Sequence, residues 1–64
     1  MSSFNEANFH VRSGDKAWEQ SSWDGNSFLY AKDGELWLHC RANDTDQKYK
    51  PDDEELNSLV WELF

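Results

Sequence analysis

Cys40, His10, His39 and the acid-rich stretch from Asp44 to Glu55 are the residues whose chemistry has to be weighed first. Asp44, Asp46, Asp52 and Glu55 match the first, third, ninth and twelfth positions of a calcium loop. The match fails at its centre: Tyr49 stands where the loop must turn on glycine, and Lys48 stands where an oxygen ligand is expected. Zinc fares no better. His39 and Cys40 are neighbours, and adjacent residues of a strand point to opposite faces, so they cannot share a site with His10. The expectation is no metal and no cofactor. Cys40 would need a base beside it to act as a nucleophile, and the register proposed below turns it into the core, where a thiol is a small hydrophobe. Thirteen acids offer many carboxylate pairs, but 64 residues offer little cleft in which to shift their pKa values. The chain is read as a non-enzyme. Asn43-Asp44-Thr45 meets the glycosylation pattern, here taken as part of a polar loop.

The aromatic residues are the other source of chemistry. Four Trp, two Tyr and four Phe are more than one thin core needs, and exposed aromatic rings anchor protein interfaces. A ring-bearing sheet face can also stack unpaired bases, but such platforms sit in a basic groove. This chain carries six bases against thirteen acids, a net charge of -7 that repels phosphate backbones and anionic membranes. Direct nucleic-acid binding and membrane association are therefore disfavoured. No apolar run approaches the roughly 20 residues of a membrane span, and no basic start leads into an apolar core after Met1. One cysteine builds no internal disulfide framework, so a cytoplasmic location is expected.

These residues must be positioned by a small set of elements. Residues 1–7 show no periodicity and read as a loose arm. Residues 8–41 read as antiparallel sheet: Phe9 and Val11 alternate with polar neighbours between Asn8 and Arg12, and a second strand is placed over Lys16 to Trp23. Asp24-Gly25 and Asp33-Gly34 are tight-turn dipeptides. A two-residue loop at Asp33-Gly34 sets Lys32 opposite Glu35, Leu29 opposite Leu38 and Ser27 opposite Cys40, leaving Leu29, Ala31, Leu36 and Leu38 on one face. Phe28, Tyr30, Trp37 and His39 then share the other. Residues 42–50 read as a polar loop. Residues 51–64 read as a helix, with Pro51 and the acids Asp52 to Glu55 at its start and Leu56, Leu59, Val60, Leu63 and Phe64 as an apolar stripe. The expected fold is α+β: a single domain with an antiparallel meander of three to four strands and one C-terminal amphipathic helix on one face.

Trp61 falls off that stripe and is expected to be exposed, joining Phe28, Tyr30 and Trp37 as interface anchors. Asp44, Asp46, Asp52, Asp53, Glu54 and Glu55 would add complementary charge toward a basic partner. In size, acidity and aromatic content the chain resembles small phage-encoded inhibitors, among them DNA mimics and anti-CRISPR or anti-restriction proteins. The likeness implies a non-enzymatic inhibitor of a basic nucleic-acid-handling protein. The alternative is a regulatory or assembly subunit that forms a homodimer through the aromatic sheet face.

Overall fold

The structure is a computed structural model and describes residues 2–23 and 25–64. Helix α1 (Phe4–Arg12) is followed by strands β1 (Ala17–Glu19), β2 (Ser27–Lys32), β3 (Glu35–Cys40) and β4 (Thr45–Lys48), a short helix α2 (Asp53–Asn57) and strand β5 (Trp61–Leu63). The strands form one antiparallel sheet in the order β4-β3-β2-β1-β5. The class is thus α+β, with five strands among the described residues in place of the expected three to four. No helix among the described residues is long and apolar enough to cross a membrane.

The N-terminal segment is not a loose arm followed by a strand. Ser3 and Glu6 form a reciprocal cap, the Glu6 amide donating to Ser3 Oγ and the Ser3 amide to Glu6 Oε1, so two otherwise orphaned N–H groups of the first turn are satisfied. From there Phe4, Ala7 and Val11 recur at helical spacing and are all buried. The alternation of Phe9 and Val11 is incidental: Val11 is sealed in the core while Phe9 is 77% exposed on the opposite side of the helix. Ser2 adds a further tie, exchanging backbone hydrogen bonds of 3.0 and 2.9 Å with Trp61.

The hairpin follows the register that its turn dictates. Asp33 (φ 54°) and Gly34 (φ 78°) both take left-handed backbone angles, as a two-residue primed turn requires, and the pairs run from Lys32 with Glu35 to Ser27 with Cys40. Gly25 is likewise left-handed, while Asp24 lies outside the described residues. The second expected strand shortens to Ala17–Glu19. Glu19 ends it, because its buried carboxylate draws the following turn around itself: the Ser21 amide (2.6 Å), the Ser21 hydroxyl (2.7 Å) and the Ser22 hydroxyl (3.0 Å) all donate to it. Burial alone would raise this carboxyl's pKa, but the donors from Ser21, Ser22 and Ser58 outweigh it and hold the group below the usual carboxylate range.

The C-terminal half departs most from expectation. The segment read as a polar loop contains β4, all four of whose residues are exposed. The segment read as one helix contains only α2, capped by the Asp52–Glu55 pair and ending before Ser58, and then β5. Two facts stop the helix. The Trp61 indole donates to the Glu55 carbonyl at 3.1 Å, a group that further helix would have needed, and β1 offers a free edge that the backbone of Val60 to Phe64 completes from Gln20 to Lys16. As a strand, this segment directs Trp61 and Leu63 to the core side and Glu62 and Phe64 to the other.

The core lies between the helices and one sheet face. Phe4, Ala7 and Val11 of α1 meet Ala17, Leu29 and Trp61, with Trp23, Leu36, Tyr49 and Leu63 around them. Trp61 is at its centre, fully buried, with Phe4 and Trp23 edge-on to its ring at 5.6 and 5.2 Å.

Candidate functional site

Alternation from the paired registers assigns Trp18, Phe28, Tyr30, Lys32, Glu35, Trp37, His39, Asp46 and Lys48 to the sheet face turned away from the helices. Phe64 joins them, its ring edge-on to Phe28 at 6.2 Å. Both helices pack on the other side, so no described element lies over these rings. They remain half-buried or, for Phe64, 47% exposed.

The rings are knitted together by polar groups. Asp46 Oδ1 accepts the Tyr30 hydroxyl at 2.7 Å and lies 2.9 Å from His39 Nδ1, while Asp44 Oδ1 lies 3.5 Å from His39 Nε2. The His39 ring sits 5.0 Å from that of Phe28. Because removing the phenolic proton would set two anions together, the hydrogen bond to Asp46 pushes the Tyr30 pKa up to about 12. The same bond, with that of His39, lowers the pKa of Asp46. A shallow cavity of about 330 Å³ opens beside this cluster, lined in part by Asp15, Lys16, Phe28, Tyr30, His39 and Asp46.

Cations occupy the ring faces. Arg41 stands 5.1 Å from the Phe28 centroid and 5.9 Å from that of Phe64, Lys16 stands 5.8 Å from Phe28, and Lys32 stands 6.0 Å from Trp37. Glu35 pairs with Lys48 at 3.4 Å across the β3–β4 edge rather than with Lys32. The Trp37 Nε1 atom is buried without a hydrogen-bond partner among the described residues.

The predicted anchors Phe28, Tyr30 and Trp37 are therefore brought together, and Asp44 and Asp46 border them. Trp61 is not an exposed anchor: its ring is the most deeply enclosed in the core, because β5 turns it inward where a longer helix would have turned it out. The remaining predicted acids stand on the helix side. Asp52 caps α2, and Glu55 accepts the Trp23 indole and the Tyr49 hydroxyl, each at 2.8 Å, leaving Asp53 and Glu54 exposed in the first turn. Burial first, and then Glu55, raises the Tyr49 pKa far above its ordinary value. Asp44 and Asp46 thus lie at the sheet face and Asp52 and Glu55 at α2, so the calcium-like spacing is not gathered into one loop. His39 and Cys40 do point to opposite faces. Trp18, Phe64 and Lys16 belong to the open face without having been singled out; only the β1–β2 and β1–β5 pairings reveal them, and no turn dipeptide specifies those. No protein-family model and no curated protein matches this chain.

Proposed function

We propose that the chain is a non-enzymatic cytoplasmic binding protein that docks through its open aromatic sheet face onto a basic, nucleic-acid-handling protein and inhibits it, as the small phage-encoded inhibitors do. The observation that carries this reading is the gathering of Phe28, Tyr30 and Trp37, with Trp18 and Phe64 beside them, on a face that neither helix covers. Rings in such a setting supply large contact area at small entropic cost. The net charge of -7 steers a basic surface toward the chain, with Asp44 at the border of the face and Asp53 and Glu54 as further exposed acids. A nucleic-acid ligand is less well served, since Asp46, Glu35 and Glu62 on the same face would repel phosphates and the ring faces already hold Lys16, Lys32 and Arg41.

Affinity capture with the wild type, a Tyr30→Ala/Trp37→Ala variant and an Asp44→Asn/Asp53→Asn/Glu54→Gln variant tests it, with circular dichroism verifying each fold. The wild type is expected to retain a basic partner whose nucleic-acid activity it suppresses. The aromatic variant should lose that partner, and the amide variant should associate more slowly, with a weaker dependence on salt. Retention indifferent to Tyr30 and Trp37 would refute the docking face.

A further inference from the structure

We infer that β4 is a self-complementary edge and that two copies of this chain join through it in antiparallel fashion, about a two-fold axis at Gln47. Strand β4 is the outermost strand on its side of the sheet. The Tyr49 amide donates to the Leu36 carbonyl, and Leu38 pairs with Gln47 and Cys40 with Thr45, so by antiparallel alternation residues 45, 47 and 49 bond inward to β3. The N–H and C=O groups of Asp46 and Lys48 consequently point away from the sheet, along the open edge. A row of unpaired groups of this kind is a template for another strand.

The side chains specify which strand. Around Gln47 the sequence runs Asp44, Asp46, then Lys48, Lys50, acids on one side and bases on the other. Pairing Gln47 with its own copy sets Asp46 opposite the second copy's Lys48, and Lys48 opposite its Asp46. Each of these pairs can exchange backbone hydrogen bonds in both directions. Their side chains lie on one face, where directly opposed unlike charges attract. Asp44 and Lys50 extend the same antisymmetry beyond the paired residues. A lysine guards an edge strand when its counterpart is another lysine; in this register no lysine meets a lysine and no acid meets an acid. Shifting the register by one residue would oppose Asp46 to Gln47 and remove that match. All four residues of β4 are exposed, so the second copy finds the edge unobstructed. The joined sheets would place the aromatic faces side by side and leave the rings of both uncovered, so this contact borders the docking face proposed above at Asp46 and Lys48 without occupying its rings.

Sedimentation velocity from low micromolar to millimolar protein, combined with residue-resolved amide hydrogen exchange on the intact chain, tests the inference. The expected result is a concentration-dependent dimer in which protection of the Asp46 and Lys48 amides rises with dimer fraction. A monomer throughout that range overturns the inference, as does a dimer whose Asp46 and Lys48 amides stay unprotected. A Lys48→Glu/Lys50→Glu variant sets acid against acid and should weaken association at least about tenfold. Undiminished association of that variant would also overturn it, and if the variant fails to fold, the exchange pattern of the wild type decides the matter alone.

Discussion

Tyr30, Asp46 and His39 show how single side chains set the character of the open face. Asp46 is an acceptor for both neighbours, and the consequence for pH has two limbs. Tyr30 has a folded pKa raised from 10.0 to about 12, so the stabilisation from its bond is complete below about pH 10 and is lost as pH climbs through about 12. Asp46 has a lowered pKa, so its contribution is present above its ordinary value of 3.8 and is lost as pH falls through the lowered one. The bond spans the whole interval between. Replacing Asp46 with Asn removes the anion and should bring the Tyr30 phenol midpoint down by about one pH unit or more, read by near-ultraviolet difference absorbance. Tyr49 titrates higher still, owing to burial and Glu55, so the Tyr30 step is separable. An unmoved midpoint would mean that Asp46 does not hold the phenol. Glu19 and Glu55 make a different point about acidity. Both are members of a composition that reads as solubilising surface charge, yet one is caged by Ser21 and Ser22 in the interior and the other is bonded to Trp23 and Tyr49.

At the scale of elements, the β2–β3 hairpin was legible in the sequence because its turn alone fixes parity and register. Gly34 at φ 78° carries part of that specification, and a Cβ placed there meets nothing within 4 Å. Gly34→Ala should therefore cost about 1 kcal/mol through backbone conformation alone, seen as a lower urea midpoint with an unchanged slope and the same cross-strand contacts in NMR. Other elements were hidden for identifiable reasons. The run Leu56, Leu59, Val60, Leu63 satisfies a helical period, while Trp61-Glu62-Leu63-Phe64 satisfies a strand period, and only the vacant edge of β1 decides between them. Strand β4 carries no apolar residue because it occupies the sheet margin, away from the strands α1 covers, so hydrophobic patterning had nothing to report. Helix α1 was signalled by the Ser3–Glu6 spacing and by Phe4, Ala7 and Val11, a signal obscured by the apparent alternation at Phe9.

For the molecule as a whole, the aromatic surplus divides between the two faces of one sheet. Trp61 and Trp23 belong to the core side, and Trp18 and Trp37 to the open side. The candidate site was legible to the same degree: the hairpin contributed Phe28, Tyr30 and Trp37 from sequence, whereas the anchor assigned to Trp61 depended on a helix that does not form. This division makes a prediction about stability. With six buried hydrophobic residues forming the core among the described residues, Trp61→Ala removes its largest side chain along with the ring contacts to Phe4 and Trp23. Such truncations cost about 3–5 kcal/mol, and a chain of this length has a total of about 3–10 kcal/mol to lose. The variant should therefore lose between about a third and all of that stability, read as a sharply lowered melting midpoint. Trp37→Ala instead removes a half-buried ring from the face the core does not use, at about 1 kcal/mol, and should melt cooperatively with native far-ultraviolet dichroism. Thermal unfolding of the two variants side by side checks the division. Should Trp37→Ala collapse the fold as fully as Trp61→Ala does, the outer rings would be serving the interior, and the face would no longer be free to meet a partner.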